Sequence, residues 1–155
     1  VVHIVSAGVG KGKTSRMISL HGETGGEGIV SPKAFAGGEH IGYDALRLSD
    51  GERMPFIRKA GFVPAGWDQA FRFDRYSFSG PALEFASQTI GTAVSTQANV
   101  FIDEIGPAEL AGLGFRRPLA EALQSGRDLY IAARESCVAG IIGQYGITAY
   151  RIIEL

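Results

Sequence analysis

Between Ala7 and Thr14 the chain reads Ala-Gly-Val-Gly-Lys-Gly-Lys-Thr, with glycine at alternate positions and a lysine-hydroxyl pair at the end. The apolar run Val1-Val2-His3-Ile4-Val5 precedes it and has the character of a buried strand, while Ser15-Arg16-Met17-Ile18-Ser19-Leu20 follows as a helix beginning. Strand, glycine loop and helix in that order form the setting of a phosphate-binding loop. The glycines let backbone N–H groups turn onto phosphate oxygens, a lysine reaches the outer phosphates, and a Ser or Thr hydroxyl ligates Mg²⁺. Lys11 is followed by Gly12, which offers no hydroxyl, whereas Lys13 is followed by Thr14. The phosphate-binding frame is therefore Ala7, Gly8, Val9, Gly10, Lys11, Gly12, Lys13 and Thr14, continued by Ser15. Lys11 remains as a solvent-facing loop residue and His3 as a structural one.

Such a loop requires a second strand ending in an aspartate, because the metal needs a carboxylate partner near the phosphates. Val100-Phe101-Ile102-Asp103-Glu104 supplies it. Asp103 is expected to hold Mg²⁺ with Thr14, and Glu104 to orient or deprotonate the attacking water.

The rest of the chain alternates strand and helix patterns at its two ends around an antiparallel middle. Ile29-Val30 ends a short strand at Ser31-Pro32, and apolar alternation around Asp50-Gly51 predicts a hairpin over 41–58. Residues 71–79 read as one edge-type strand with core aromatics, and 80–98 as a helix with Pro81 in its first turn. Further strands are expected at 99–105, 129–133 and 149–153, with helices within 110–123 and 138–144. The class is α/β with a mostly parallel sheet and a hairpin extension.

A chain of 155 residues suits a single domain over 1–155. Net charge is −1, which gives no electrostatic case for DNA, RNA or an anionic membrane. Cys137 is the sole cysteine and no apolar stretch approaches a membrane span, so a reducing, cytoplasmic setting is expected.

The string Ile102-Asp103-Glu104-Ile105-Gly106-Pro107-Ala108-Glu109-Leu110, a phosphate-binding loop at the N-terminal end, and the intervening Gly42-Tyr43-Asp44 and Asp50-Gly51 segment together resemble the THEP-type nucleoside-triphosphatase family. These are small P-loop proteins with a three-layer, RecA-like fold. The resemblance runs over nearly the whole chain and implies a Mg²⁺-dependent nucleoside-triphosphate phosphohydrolase of broad base tolerance, taking ATP, GTP or another triphosphate. It assigns nucleotide contact to Ala7 through Thr14 and to Val100, Phe101, Ile102, Asp103, Glu104, Ile105, Gly106 and Pro107. The chain departs from the family pattern in Ala7, where a glycine is usual, and in Ile29 to Lys33, which lacks an acidic pair.

One more cation is expected near the γ-phosphate. Arg134 qualifies because it ends a strand at the ligand-facing edge, and pairing with Glu135 at the surface is the competing role. Arg116 and Arg117 are the alternatives. Glu109 either braces the loop after Pro107 or favours a helix start, and Gln144 and Tyr145 are weighed as base neighbours or surface residues. Two other functions remain open: a nucleotide-driven switch read by an unknown protein partner, and a nucleotide or small-molecule kinase.

Overall fold

The computed structural model describes residues 1–8, 10–96 and 99–155. A parallel unit is made of β1 (Val2–Ala7), β2 (Glu27–Val30), β8 (Asn99–Ile105), β9 (Asp128–Arg134) and β10 (Tyr150–Glu154), in the order β10-β1-β9-β8-β2. Each inner strand reads as an apolar run because both faces are covered. On one face α1 (Lys13–Thr24) lays Met17 and Leu20 over Val5, Val30, Phe101, Tyr130 and Ala132. On the other, α2 (Gly80–Thr96), α4 (Arg116–Gln124) and α5 (Glu135–Gln144) cover Ile4, Ile29, Val100, Ile102, Leu129 and Ile131. The result is three layers, with strand residues alternating between the two cores.

Beyond β2 the sheet turns antiparallel through β4 (Glu39–Arg47), β5 (Arg53–Lys59), β7 (Tyr76–Ser79) and β6 (Gln69–Phe73), with β3 (Lys33–Ala36) paired to β4 off the main path. The expected 41–58 hairpin is β4 and β5. The extension is larger than that one hairpin, and half of the ten strands are parallel. Two turn signals account for the excess. Gly37-Gly38 closes β3 onto β4 with Ala36 opposite Glu39, and positive φ at both glycines (57° and 80°) matches the twist of a two-residue hairpin turn. Residues 71–79 are a hairpin and not one strand. Its aromatics switch phase between Phe73 and Tyr76, and Asp74 takes φ 54° in a turn that sets those two residues opposite each other.

The helix expected within 110–123 is also divided. A single turn, α3 (Pro107–Leu110), is separated from α4 by a loop in which Gly112 and Gly114 have φ 84° and 61°. The Glu109 carboxylate fills the space a Cβ on Gly114 would need, so this loop can close only with glycine there. The helix expected over 80–98 runs to Thr96, and its last two positions lie outside the described residues. Helix α5 starts earlier than expected, directly after β9.

Candidate active site

Because β1, β2, β8 and β9 are parallel, their carboxyl ends open on one edge of the sheet, where such sheets bind ligands. That edge collects Ala7 with its register partner Arg134, Ser31 after β2, and the Asp103-Glu104 pair of β8.

Gly12 adopts a left-handed conformation as the N-cap of α1, so Lys13 and Thr14 begin the helix with its N–H groups aimed at the edge. Lys13 is only 6% exposed, and its Nζ donates to the Gly8 carbonyl at 3.2 Å. Thr14 Oγ1 donates to Asp103 Oδ2 at 2.6 Å, and the Ser31 N–H donates to the same oxygen at 3.0 Å. Asp103 is fully buried. Burial raises its pKa, while the Ser31 and Thr14 hydrogen bonds and the Lys13 charge pull it back. Lys13, Thr14 and Ser31 line a cavity of about 330 Å³ together with Gly10, Lys33 and Glu104 among others, and Asp103 lies behind Thr14 and Ser31. The Lys33 ammonium leans over the loop, 3.2 Å from where a Cβ on Gly10 would stand.

Mg²⁺ fits these residues. A hydroxyl and a carboxylate oxygen stand side by side, and the buried Ser31 hydroxyl has no hydrogen-bond partner. Among the described residues there is no cluster of three or more His, Cys, Asp or Glu side chains suited to a metal. That is the donor set for an ion that takes a few protein oxygens and completes its octahedron with water and phosphate.

Glu104 owes its position to a bulge. From Ile102 to Ile105, β8 advances three residues while β9 advances two, from Ile131 to Ala133. The extra residue re-aims the side chains, and Glu104 is held at φ 59°, a conformation that costs a non-glycine residue about 1–3 kcal/mol. Burial and the adjacent Asp103 charge push its pKa up to about 7, against the opposing pull of Lys13 and Arg134. Glu104 and Tyr43 line both the phosphate cavity and a second, aromatic one of about 130 Å³. Burial, reinforced by the Glu104 charge, pushes the Tyr43 hydroxyl up to about 12, so it remains a proton donor.

Arg134 lines the aromatic cavity beside Glu104, and among the described residues it makes no salt bridge, with Glu135 or otherwise. Arg116 and Arg117 are exposed on α4 and line neither cavity. Lys11 and Ser15 are exposed at the rim of the phosphate cavity. Ala7 is buried at the end of β1, and Val9 lies outside the described residues. Val100, Phe101 and Ile102 are fully buried in the two cores and reach neither cavity. Ile105, Gly106 and Pro107 line the aromatic cavity instead of the phosphate one. Gln144 and Tyr145 line neither cavity: Gln144 Nε2 donates to Leu110 O at 3.1 Å and Tyr145 Oη to Glu109 O at 2.9 Å, tying the end of α5 to α3. His3 is structural, stacked on Tyr130 at 4.3 Å. Sequence reasoning missed Ser31, Lys33 and Tyr43. The Gly37-Gly38 turn was the one signal that could have brought β3, and so Lys33, to this edge.

Glu109 braces the loop that follows Pro107. Its two carboxylate oxygens accept from the N–H groups of Gly106 (2.8 Å) and Phe115 (2.9 Å), yet burial pushes its pKa up to about 7 from an ordinary 4.5. Between those values the folded chain holds a proton that the unfolded chain has released. The stability from this group is thus full below 4.5 and lost as pH rises to about 7, by on the order of 3 kcal/mol. Thermal midpoints of the parent and Glu109→Gln should therefore diverge across that window, with the parent falling relative to the variant. Parallel curves would mean that Glu109 ionises normally.

Comparison with known proteins agrees with this geometry. Methanopyrus kandleri has a protein named nucleoside-triphosphatase THEP1 that is 32% identical over 103 residues, spanning 66% of this chain and 53% of that protein. A protein of the same name from Methanothermobacter thermautotrophicus is 31% identical over 99 residues, 63% of this chain and 53% of its own. The chain spans about half the length of these curated relatives. The crystal structure of THEP1 from Aquifex aeolicus superposes with a TM-score of 0.75 at 16% identity, covering 100% of this chain and 90% of that one. The solution structure of a human cancer-related nucleoside triphosphatase gives 0.66 at 21%, covering 99% and 87%. At these identities the two structures speak for the P-loop α/β fold alone. A model of the NTPase family matches residues 3–152, which takes in the loop, both carboxylates and Arg134, and the chain therefore belongs to the NTPase family.

Proposed function

We propose that this chain binds a nucleoside triphosphate on Gly8 to Thr14 and transfers its γ-phosphoryl group to water, with residues 1–155 acting as one nucleotide-binding domain. The observation that carries the reading is Glu104, held by a bulge in a strained conformation beside the Thr14–Asp103 pair and facing the phosphate cavity. Strain of this kind persists where surrounding structure over-determines it, and it concentrates at active sites.

Phosphoryl transfer leaves little covalent work for a protein, so positioning and charge neutralisation carry the catalysis. Lys13 would exchange its Gly8 carbonyl for β- and γ-oxygens, and the N-terminus of α1 adds partial positive charge. P-loop NTPases generally use Mg²⁺; here Thr14 and Asp103 would hold it, with the Ser31 hydroxyl alongside. When bound, the ion supplies charge compensation for the phosphate oxygens. Glu104 orients the attacking water and accepts its proton, and a pKa of about 7 leaves it basic near neutrality. Tyr43 lines the same space, where its protonated hydroxyl would be a donor to a phosphate oxygen, and Lys33 adds a second ammonium over the loop. Broad base tolerance and a cytoplasmic setting belong to the same proposal and rest on the resemblance to THEP-type nucleoside-triphosphatases and on the single cysteine.

The transferring group moves away from Lys13 toward Glu104 and Arg134. Arg134 is therefore engaged more in the transition state than in the bound triphosphate. Arg134→Ala should lower kcat by about 10-fold to 10³-fold with KM little changed. An unchanged kcat would hand the role to Lys33. Phosphate release from each common nucleoside triphosphate, with Mg²⁺ and with chelator, tests the proposal as a whole: no release from any of them would end it.

A further inference from the structure

Hydrolysis uses one side of Glu104. On the other side is the aromatic cavity of about 130 Å³, walled by Phe56, Phe73, Tyr76, Phe78 and Phe115, with Tyr43 at the junction. The rings hold one another in place: Phe56 meets Phe78 edge-on at 5.6 Å and Phe115 at 5.4 Å, and Phe71 stacks behind Phe78 at 4.4 Å. Phe56 and Phe115 are buried at the floor, while Tyr43, Phe73 and Tyr76 are half-buried toward the mouth. A water molecule needs none of this apolar wall. Its volume is close to the roughly 150 Å³ of an apolar cavity known to take one benzene ring, and below the roughly 300 Å³ at which pockets for larger ligands begin. One planar ring fits, and a whole nucleoside does not. Asp74, Glu104 and Glu109 bring three carboxyl groups to the lining against the single guanidinium of Arg134, which disfavours an anionic ring.

We propose that this cavity is a phosphoryl-acceptor site for an uncharged single-ring aromatic alcohol, whose ring lies among the phenylalanines and whose hydroxyl reaches Glu104. The proposal rests on the nucleoside-triphosphate reading above. In the step, the alcohol oxygen bonds to the γ-phosphorus, and the bond from that phosphorus to the β–γ bridging oxygen breaks. The hydroxyl proton goes to the Glu104 carboxylate, and a nucleoside diphosphate and an aryl-alkyl phosphomonoester leave. Glu104 and Tyr43 border both spaces, which sets the acceptor next to the triphosphate cavity; in-line displacement then requires its hydroxyl to enter opposite the leaving diphosphate. Water occupies the same position when no alcohol is present, and hydrolysis is then the default reaction.

The test incubates the protein with Mg²⁺ and a triphosphate plus benzyl alcohol or pyridinemethanol, following inorganic phosphate and phosphomonoester together by phosphorus NMR. Wild type should form the ester. Ala108→Leu, which fills the cavity from α3, should lower the ester-to-phosphate ratio about 10-fold or more while phosphate is still released. Phe73→Ala, at the half-exposed mouth, should lower the same ratio without the risk of overpacking. Phosphate release without ester from either alcohol overturns the acceptor site alone. Ester formed at an equal ratio by all three proteins overturns the cavity as its location. Absence of both products overturns the triphosphatase reading, and the acceptor role falls with it.

Discussion

Glu104→Gln should bind Mg²⁺-nucleotide as the parent does and hydrolyse it about 10²-fold or more slowly, the usual share of a general base. The amide keeps the length and shape of the side chain, and the bulge between Ile102 and Ile105 fixes its backbone whatever the side chain is. Only the proton acceptor is lost. Asp103→Asn should fail differently. Asp103 Oδ2 accepts from Thr14 Oγ1 and the Ser31 N–H and Oδ1 accepts from the Glu104 N–H, so an amide there loses the charge that holds a cation and, whichever way it is turned, sets its NH2 against at least one donor. Nucleotide affinity and Mg²⁺ dependence should decline together, because the cation stabilises bound substrate and transition state alike. Equilibrium binding and steady-state phosphate release on the two variants separate the roles. Parent-rate hydrolysis by Glu104→Gln would mean that water is oriented elsewhere, with the Tyr43 hydroxyl in the same cavity the next group to test.

Lys13→Ala should abolish nucleotide binding, whereas Lys11→Ala should change it by no more than a few-fold. Both lysines follow a glycine, but only Lys13 is drawn into the structure. It is buried, starts α1 and lies within reach of Asp103's field, while its one side-chain hydrogen bond among the described residues is to a loop carbonyl that a phosphate oxygen can replace. Lys11 is exposed at the rim, where solvent screens its charge. Titration of a fluorescent triphosphate analogue into both variants checks this, and equal losses would overturn the frame chosen for the loop.

The parts of the site that lie next to one another in sequence were legible there. The loop frame needed only the Lys13-Thr14 step, and the carboxylate pair needed only an apolar run before it. Arg134 could be placed because the end of a parallel strand faces the ligand edge in any such sheet. Ser31, Lys33 and Tyr43 were not legible, since they reach the edge through β2 pairing with β8 and through β3 and β4 folding back beside it. No local pattern reports pairings that distant. The bulge at Asp103-Glu104 is likewise a property of two strands, and one strand's residues do not announce it. In the fold, an unbroken apolar run marks each inner strand, but apolar alternation over 71–79 does not reveal the phase change at Phe73 and Tyr76 that makes a turn. The helix expected within 110–123 was interrupted by a tertiary requirement, the Glu109 carboxylate standing against Gly114.

The strand that carries the phosphate-binding loop is the first in the chain, yet its two neighbours in the sheet, β9 and β10, are the last. During synthesis on the ribosome, β3 to β7 meet partners close by in sequence as they emerge, whereas β1 waits for residues from Asp128 onward before either of its edges is covered. A nascent chain stopped short of Asp128 would already contain every antiparallel pairing partner, while the loop that defines the family still hung from an unpaired, apolar strand. Nucleotide binding is thus a late reporter of assembly: a chain able to hold a triphosphate has brought β1 together with β9 and β10.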